Sequence, residues 1–313
     1  RYIREMVAKT MTPDHLMSVG EVNINNDQDA IHYSSAASEE FNMAIPFVPP
    51  IVEIQTWSPE KMKRDLRHDY ELLKKDGWWA RFLSNHDKPR QVSLYGNDTT
   101  FREVSAKMLA SYLHTLPGTP FVFQGEELGM TNVAYPSIED YDDIDTKNAY
   151  HTMLEQGIAP EKALAEAQRI SPDNARTPMQ WNHQEHAGFT TGTPWLSVNG
   201  NYKEINVENS RKNPDSLFYY YKTLIALRKN NDVLIYGKFQ LLDKEHPEIF
   251  AYERTLDGKK IVVICNFTDH ETQMEATEDL TDGKILIHNQ GQNRLGKETW
   301  ILGAYEAWMI EIG

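Results

Sequence analysis

The chain has 313 residues, 40% of them hydrophobic, and a formal net charge of −14 at pH 7. This length can bury the core of one large α/β domain, or of one domain with a smaller appendage. The negative charge repels phosphate backbones and anionic lipid, and it argues against nucleic acid or a membrane surface as a partner. No apolar run approaches the roughly 20 residues of a membrane-spanning helix. A neutral small molecule suits this charge better.

The single cysteine, Cys265, lies in the apolar run IVVICNF. No disulfide can form within the chain, and we expect a buried strand thiol at this position. The first residues lack the basic start and apolar core of an export signal. These features suit a reducing compartment and predict a cytoplasmic protein.

Strands and helices alternate through the first part of the chain. His15 to Val22 is an apolar run that presents Glu21 near its end, and Phe41 to Val48 is a second strand candidate that Pro46 weakens. Ser58 to Lys75 has a capping serine and a single apolar face, which predicts a helix.

The alternation continues with a strand in the FLSNHD segment that begins at Phe82. Thr100 to Glu103 has the form of a capping box and predicts the start of a helix. Phe121 to Phe123 is then a short apolar strand. This order of elements is typical of a parallel sheet with helical crossovers.

From residue 130 to 213 the alternation stops, and we predict a long rim insertion with one helix near Pro160 to Ile170. Beyond Asn230 the pattern predicts strands only. Ile249 to Leu256 and Lys260 to Phe267 flank an Asp-Gly turn and predict a hairpin. We therefore divide the chain into residues 1–232 and a small antiparallel β domain of residues 233–313.

A polar cluster at the end of one strand is the first candidate for a functional site. Asn85, His86 and Asp87 follow directly on the apolar residues of the FLSNHDKPR segment. A solvated turn explains these residue types equally well. Glu21, however, ends another strand, and active sites gather at the carboxyl ends of parallel strands. Two carboxylates and an imidazole there would suit a glycosidase, which needs an acid for the leaving oxygen and negative charge beside the oxocarbenium-like transition state.

Four sequence blocks together resemble a known family. They are SVGEV at 18–22, SNHDKPR at 84–90, GTPFVFQGEELGMTN at 118–132 and ARTPMQW at 175–181. In this order they resemble the α-amylase superfamily, glycoside hydrolase family 13, and are most similar to its exo-acting branch of oligo-1,6-glucosidases, dextran glucosidases and trehalose-6-phosphate hydrolases. The resemblance implies the second half of a (β/α)8 TIM barrel, from about strand five to helix eight, followed by a C-terminal antiparallel β-sandwich.

The resemblance also implies roles for individual residues. Glu21 matches the general acid/base, and Asp87 matches the carboxylate that grips the sugar and favours ring distortion. His86 would bind a glucose hydroxyl, and Arg176 would help to close the glucose pocket. Asp145 stands where the family usually has a glutamate that faces the leaving sugar. Arg90 would be structural, and we expect no cofactor and no metal site.

One family residue has no counterpart in these 313 residues. The family nucleophile is an aspartate in a motif like DGFRxD, which this sequence lacks. A retaining double displacement needs this second carboxylate roughly 5 Å from the acid/base. We therefore expect an inactive C-terminal portion of a longer enzyme, whose barrel pairs with an N-terminal half or self-associates.

The function that the resemblance implies is a retaining α-glucosidase. It would act at the non-reducing end of short gluco-oligosaccharides, with α-1,6 bonds as the expected linkage. A trehalose-6-phosphate hydrolase and a non-catalytic scaffold are the alternatives.

Overall fold

The computed structural model describes residues 2–23, 31–47, 57–73, 77–290 and 295–313. The first part of the chain contains helix α1 (Tyr2–Thr10), strands β1 (Val19–Asn23) and β2 (Met43–Phe47), helix α2 (Pro59–Leu73), strand β3 (Ala80–Arg81), helices α3 (Gln91–Tyr95) and α4 (Arg102–Thr115), and strand β4 (Thr119–Pro120). None of the helices in these ranges is both long and apolar enough to cross a membrane.

The four strands β1 to β4 run parallel and lie in chain order. β1 pairs with β2, and β3 pairs with β4. A parallel bridge between Ala44 and Trp79 joins the two pairs. Val22, Ala44 and Trp79 form one buried cluster on one face of this array. Parallel strands separated by helices form the predicted half of a (β/α)8 barrel.

Two of the predicted strands lie earlier in the chain than expected. β3 ends at Arg81, so the FLSNHD segment is a loop, and β4 ends at Pro120, before the apolar residues that predicted it. The pairing of β3 with β4 is extended by the hydrogen bond from the N–H of Phe121 to the carbonyl of Arg81 (2.7 Å). Pro46, which weakened the second strand candidate, lies inside β2 and is paired with Val22.

The predicted capping box at Thr100 is wrong. Helix α4 begins at Arg102, and its N-cap residue, Phe101, makes no side-chain cap. The side-chain oxygen of Asn97 instead accepts the N–H groups of Thr99 (3.0 Å) and Phe101 (3.1 Å), so it stabilises the turn that precedes the helix and not the helix itself.

The long insertion is more helical than predicted. It contains α5 (Ile144–Glu155), α6 (Pro160–Ile170), α7 (Asp173–Arg176) and α8 (Val207–Lys212), of which only α6 was expected. Two further helices, α9 (Leu217–Lys229) and α10 (Asp232–Tyr236), follow it. The prediction of strands only beyond Asn230 therefore fails at α10, which Asn231 caps by accepting the N–H of Val233 (3.0 Å).

The C-terminal part is built from antiparallel strands. They are β5 (Lys238–Leu241), β6 (Ile249–Leu256), β7 (Lys259–Asn266), β8 (Thr272–Glu275), β9 (Lys284–His288), β10 (Thr299–Leu302) and β11 (Ala307–Ile312). Five of them form a sheet in the order β5-β6-β7-β11-β9, and β8 pairs with β10. The predicted hairpin is confirmed as β6 and β7, paired from Ile249 with Asn266 to Leu256 with Lys259.

The five-stranded sheet is buried on both faces. One face, which includes Phe250 and Cys265, packs in the same core as Leu109 of α4 and Leu224 of α9. The other face, which includes Ala251, packs with the residues of β8 and β10. This double burial explains the unbroken apolar run around Cys265, which is a buried thiol as predicted.

Two buried arginines join the barrel helices to the C-terminal sheet. Arg228 and Arg254 both donate to the carbonyl of Leu234 (2.9 Å each). Arg228 also donates to the carbonyl of His114 (2.8 Å), and Arg254 to that of Thr115 (2.5 Å). Burial lowers the pKa of each guanidinium to about 10. Within the described ranges, every hydrogen bond of these two side chains goes to a main-chain carbonyl.

Candidate active site

The loop after β3 turns sharply and presents two polar side chains to solvent. The side-chain oxygen of Asn85 accepts the N–H of Asp87 (2.9 Å), which closes an Asx turn. His86 Nε2 lies 3.3 Å from Asp87 Oδ2, and these side chains are 64% and 48% exposed. The imidazole and the carboxylate are therefore side by side and open to a ligand.

Arg176 from the insertion meets this loop. Its Nη2 donates to Asp87 Oδ1 (3.0 Å), and its Nε donates to the carbonyl of His86 (2.8 Å). The structure thus brings together three of the predicted site residues, His86, Asp87 and Arg176, although Arg176 follows Asp87 by 89 residues in the chain.

Two aspartates that the sequence reasoning missed complete the surroundings of Arg176. Asp143 and Asp173 lie 3.2 and 3.4 Å from its Nη1. Asp173 is fully buried and accepts the N–H of Asp143 (2.9 Å). Burial works to lower the pKa of Arg176, but the hydrogen bonds to Asp87 and Asp143 outweigh it, so this pKa lies above its ordinary value. The sequence offered only local signals for these two aspartates: Asp143 is the N-cap of α5, and Asp173 precedes Arg176 by one helical turn.

Arg90, expected to be structural, ties the neighbouring segments together. Its guanidinium donates to the carbonyls of Gln124 (2.6 Å), Asn174 (3.1 Å) and Ala175 (3.1 Å). Its main-chain N–H donates to the side chain of Asn132 (2.9 Å). One buried side chain therefore joins the loop after β3, the loop after β4 and the turn that carries Arg176.

Glu21 lies on a different strand, with its side chain exposed. Gly20 and Val22 on either side of it are buried, so the alternation of the strand places Glu21 on the opposite face. A Cβ at Gly20 would lie 2.2 Å from the ring of Phe41, which explains the glycine. Because β1 and β3 are parallel members of one array, Glu21 and the loop of Asp87 lie toward the same edge. No hydrogen bond or ion pair joins Glu21 to that loop in the described ranges.

Asp145 is not part of this cluster. It is exposed in the first turn of α5, two residues after Asp143. Its side chain makes no hydrogen bond or ion pair with the described part of the chain. Its predicted contact with a leaving sugar stays a prediction.

Comparison with known families identifies the chain. Residues 1–237 match the family described as "Alpha amylase, catalytic domain", and residues 249–308 match "Alpha-amylase SusG C-terminal domain". The chain belongs to the alpha-amylase family. The resemblance stated from the four sequence blocks is therefore confirmed.

Several alpha-amylase family proteins match nearly the whole chain. The oligo-1,6-glucosidase of Bacillus cereus is 41% identical over 323 residues, which cover 100% of this chain and 58% of that protein. The glucan 1,6-alpha-glucosidase of Streptococcus pneumoniae is 37% identical, over 99% of this chain and 59% of that protein. The chain thus spans less than two thirds of the length of these relatives.

Solved structures of the alpha-amylase family confirm the predicted fold. The crystal structure of trehalose-6-phosphate hydrolase from Bacillus licheniformis superposes with a TM-score of 0.92 at 37% identity, over 99% of this chain and 58% of that chain. An isomaltulose synthase from Erwinia rhapontici gives a TM-score of 0.90 at 32% identity, over 99% and 58%. The chain is the second half of a (β/α)8 barrel with a C-terminal antiparallel β domain.

Proposed function

We propose that the protein containing these residues is a retaining, exo-acting α-glucosidase. It hydrolyses α-glucosidic bonds, chiefly α-1,6, at the non-reducing end of short gluco-oligosaccharides. The observation that carries the proposal is the contact of Asp87 with Arg176 beside His86, at the sheet edge toward which Glu21 also lies. The names of two relatives, oligo-1,6-glucosidase and glucan 1,6-alpha-glucosidase, support the choice of linkage.

Each of these side chains has a separate role in the proposed reaction. Glu21 protonates the glycosidic oxygen and later removes a proton from the attacking water. Asp87 accepts hydrogen bonds from sugar hydroxyls, and its charge favours the oxocarbenium-like transition state. Arg176 fixes the orientation of Asp87 through the hydrogen bond from its Nη2 to Oδ1 (3.0 Å). His86 binds a further hydroxyl of the same glucose.

The retaining mechanism also needs a nucleophile. This sequence holds no motif like DGFRxD, so we propose that the 313 residues alone do not turn over substrate.

Phe121 and Val122, just after β4, are 36% and 39% exposed, which supports further packing against this side of the array. We propose that an N-terminal half barrel, or a second copy, covers it. Light scattering after size exclusion tests this, and a stable dilute monomer of these 313 residues contradicts it.

Glu21→Gln is the test of the main proposal, made in the protein at its natural length. We expect kcat for isomaltose to fall by about 10²- to 10⁴-fold, because the sugar leaving group needs a proton. Hydrolysis of p-nitrophenyl α-glucoside should fall far less at the first step, since nitrophenolate leaves without protonation. Asp87→Asn should slow both substrates together.

Glu275→Gln, a change at an exposed residue of strand β8, is the matched control and should leave both rates unchanged. The anomer of glucose released first, read by NMR, tests retention and should be α. Isomaltose turnover near the wild-type rate in Glu21→Gln contradicts the role of Glu21. A β-anomer contradicts the retaining mechanism.

The second candidate function is trehalose-6-phosphate hydrolysis. It is favoured by the superposition on the Bacillus licheniformis trehalose-6-phosphate hydrolase. Parallel assays on isomaltose, maltose and trehalose 6-phosphate separate the two functions. Failure on all three sugars favours the third reading, a non-catalytic scaffold.

We also propose a domain boundary at residues 232 and 233 and a cytoplasmic location. The start of β5 at Lys238 supports a change of architecture close to this position, but α10 spans residues 232 and 233 and the first family match continues to residue 237. Limited proteolysis that leaves a stable C-terminal fragment from about this position would support it further.

A further inference from the structure

Glu126 is a buried acid that the proposed mechanism does not use. It follows β4 and is 2% exposed. Its Oε1 accepts a hydrogen bond from the hydroxyl of Ser84 (2.6 Å). Its Oε2 is buried and has no hydrogen-bond partner in the part of the chain that the structure describes. A buried polar atom left unpaired is costly, so its retention calls for a reason.

The segment that contains Glu126 contacts both ends of the loop after β3. The loop after β3 carries His86 and Asp87 between Ser84 and Arg90. Ser84 is bonded to Glu126, and Arg90 donates to the carbonyl of Gln124 (2.6 Å). Both ends of the loop are therefore attached to the same segment, residues 124–126. Gly125, with φ +93°, leaves the space that this attachment needs, because a Cβ there would lie 2.8 Å from Arg90 Nη1.

The charge state of Glu126 follows from its surroundings. Burial raises its pKa to about 8, against the effects of the Ser84 hydrogen bond and the Arg90 charge, which both lower it. Glu127 on its own segment raises the pKa further. Tyr221 of α9 faces the site as well, and burial raises its pKa well above the ordinary value. Near neutral pH the carboxyl is therefore largely protonated, and glutamine is its close mimic.

We propose that Glu126 is a positioning residue, which holds the Ser84 end of the loop while Arg90 holds the other and thereby sets Asp87 against Arg176. The catalytic part of this proposal, the placement of Asp87, rests on the proposed function. The attachment of the loop to residues 124–126 rests on the contacts alone. Glu126 touches no substrate in this arrangement. A small shift of Asp87 would still cost rate, because catalysis depends on the orientation of the bound groups.

The attachment is tested without any assay of activity. Ser84→Ala, Glu126→Leu and the double variant form a double-mutant cycle in chemical unfolding. We expect each single change to lower the unfolding midpoint, and the double variant to lower it by much less than the sum of the two. Additive losses would overturn the attachment. If Glu126→Leu does not fold, Glu126→Met, which has a similar length and no acceptor oxygen, takes its place in an equivalent cycle with Ser84→Ala.

The positioning role is tested by kinetics in the protein at its natural length. Ser84→Ala and Glu126→Leu should lower kcat for p-nitrophenyl α-glucoside at least tenfold per folded molecule, with a smaller change in KM. Glu126→Gln should restore kcat and extend activity to higher pH, because its side chain cannot ionise. A purely structural role would lower the yield of folded protein and leave kcat unchanged, which would overturn the proposal. If the wild type hydrolyses no glucoside, the proposed function fails and the positioning role with it, while the cycle still decides the attachment.

Discussion

The rim of the barrel and the junction with the C-terminal sheet both depend on arginines, but the arginines have different partners. At the rim, Arg176 is 23% exposed and is surrounded by three carboxylates. At the junction, Arg228 and Arg254 are buried and donate to main-chain carbonyls only, within the described ranges. Asp87 is exposed and keeps lone pairs for a ligand after it has bound Arg176, whereas the junction arginines are buried and out of a ligand's reach.

The direction of the pKa shifts follows the same division. Hydrogen bonds to carboxylates raise the pKa of Arg176 despite burial, and burial without carboxylates lowers the pKa of Arg228 and Arg254. An arginine that joins several segments thus marks either a charged site or a structural joint, and its hydrogen-bond partners distinguish the two. Substitutions in the two regions should separate these roles.

The largest effect on stability is expected at the junction. Arg254→Met removes the donor to the buried carbonyls of Thr115, Leu234 and Gly237, of which that of Leu234 keeps the hydrogen bond from Arg228. We expect a loss of ~3–5 kcal/mol in the free energy of unfolding, measured by urea denaturation. Arg211→Met, at an exposed arginine of α8, is the control and should change stability by less than ~0.5 kcal/mol. Equal losses in the two variants would show that the carbonyl shell stabilises nothing.

An intermediate loss of stability is expected at Asp143, a rim residue that also caps a helix. Asp143 accepts the N–H and the hydroxyl of Thr146 (2.8 and 2.7 Å) and so caps α5 as well as pairing with Arg176. Asp143→Ala should cost ~1–2 kcal/mol of unfolding free energy. Asp143→Asn, which can still cap the helix, should recover most of this loss. If the asparagine variant is as unstable as the alanine variant, the ion pair with Arg176 is the larger contribution.

The smallest effect is expected at Asp145. Its side chain is exposed and makes no bond with the described part of the chain, so Asp145→Ala should change the free energy of unfolding by less than ~0.5 kcal/mol. If Asp145 contacts the leaving sugar, the same variant should raise KM for isomaltose by about fivefold, the equivalent of one hydrogen bond of ~1 kcal/mol. An unchanged KM would remove Asp145 from the site.

The hairpin of β6 and β7 and the helix α6 show what local sequence can predict. Asp257 and Gly258 have φ values of 50° and 80°, as the Asp-Gly turn requires, and helix α6 has the predicted bounds from Pro160 to Ile170. In both cases the signal lies within the element itself. The helix α4 shows the limit, because the predicted box does not form and its N-cap residue, Phe101, makes no side-chain cap.

The sequence by itself determined the family, the alternation of strands and helices, and the residue types at the candidate site. His86 and Asp87 are adjacent in the chain, so their proximity needed no fold. Only the tertiary structure decided that Asp143 and Asp173 share Arg176 with Asp87, and that Glu126 and Gln124 hold the two ends of the loop. The physical reason is that, apart from Asp173 and Arg176, which are three residues apart, these contacts join segments that are distant in the chain and meet only through the fold.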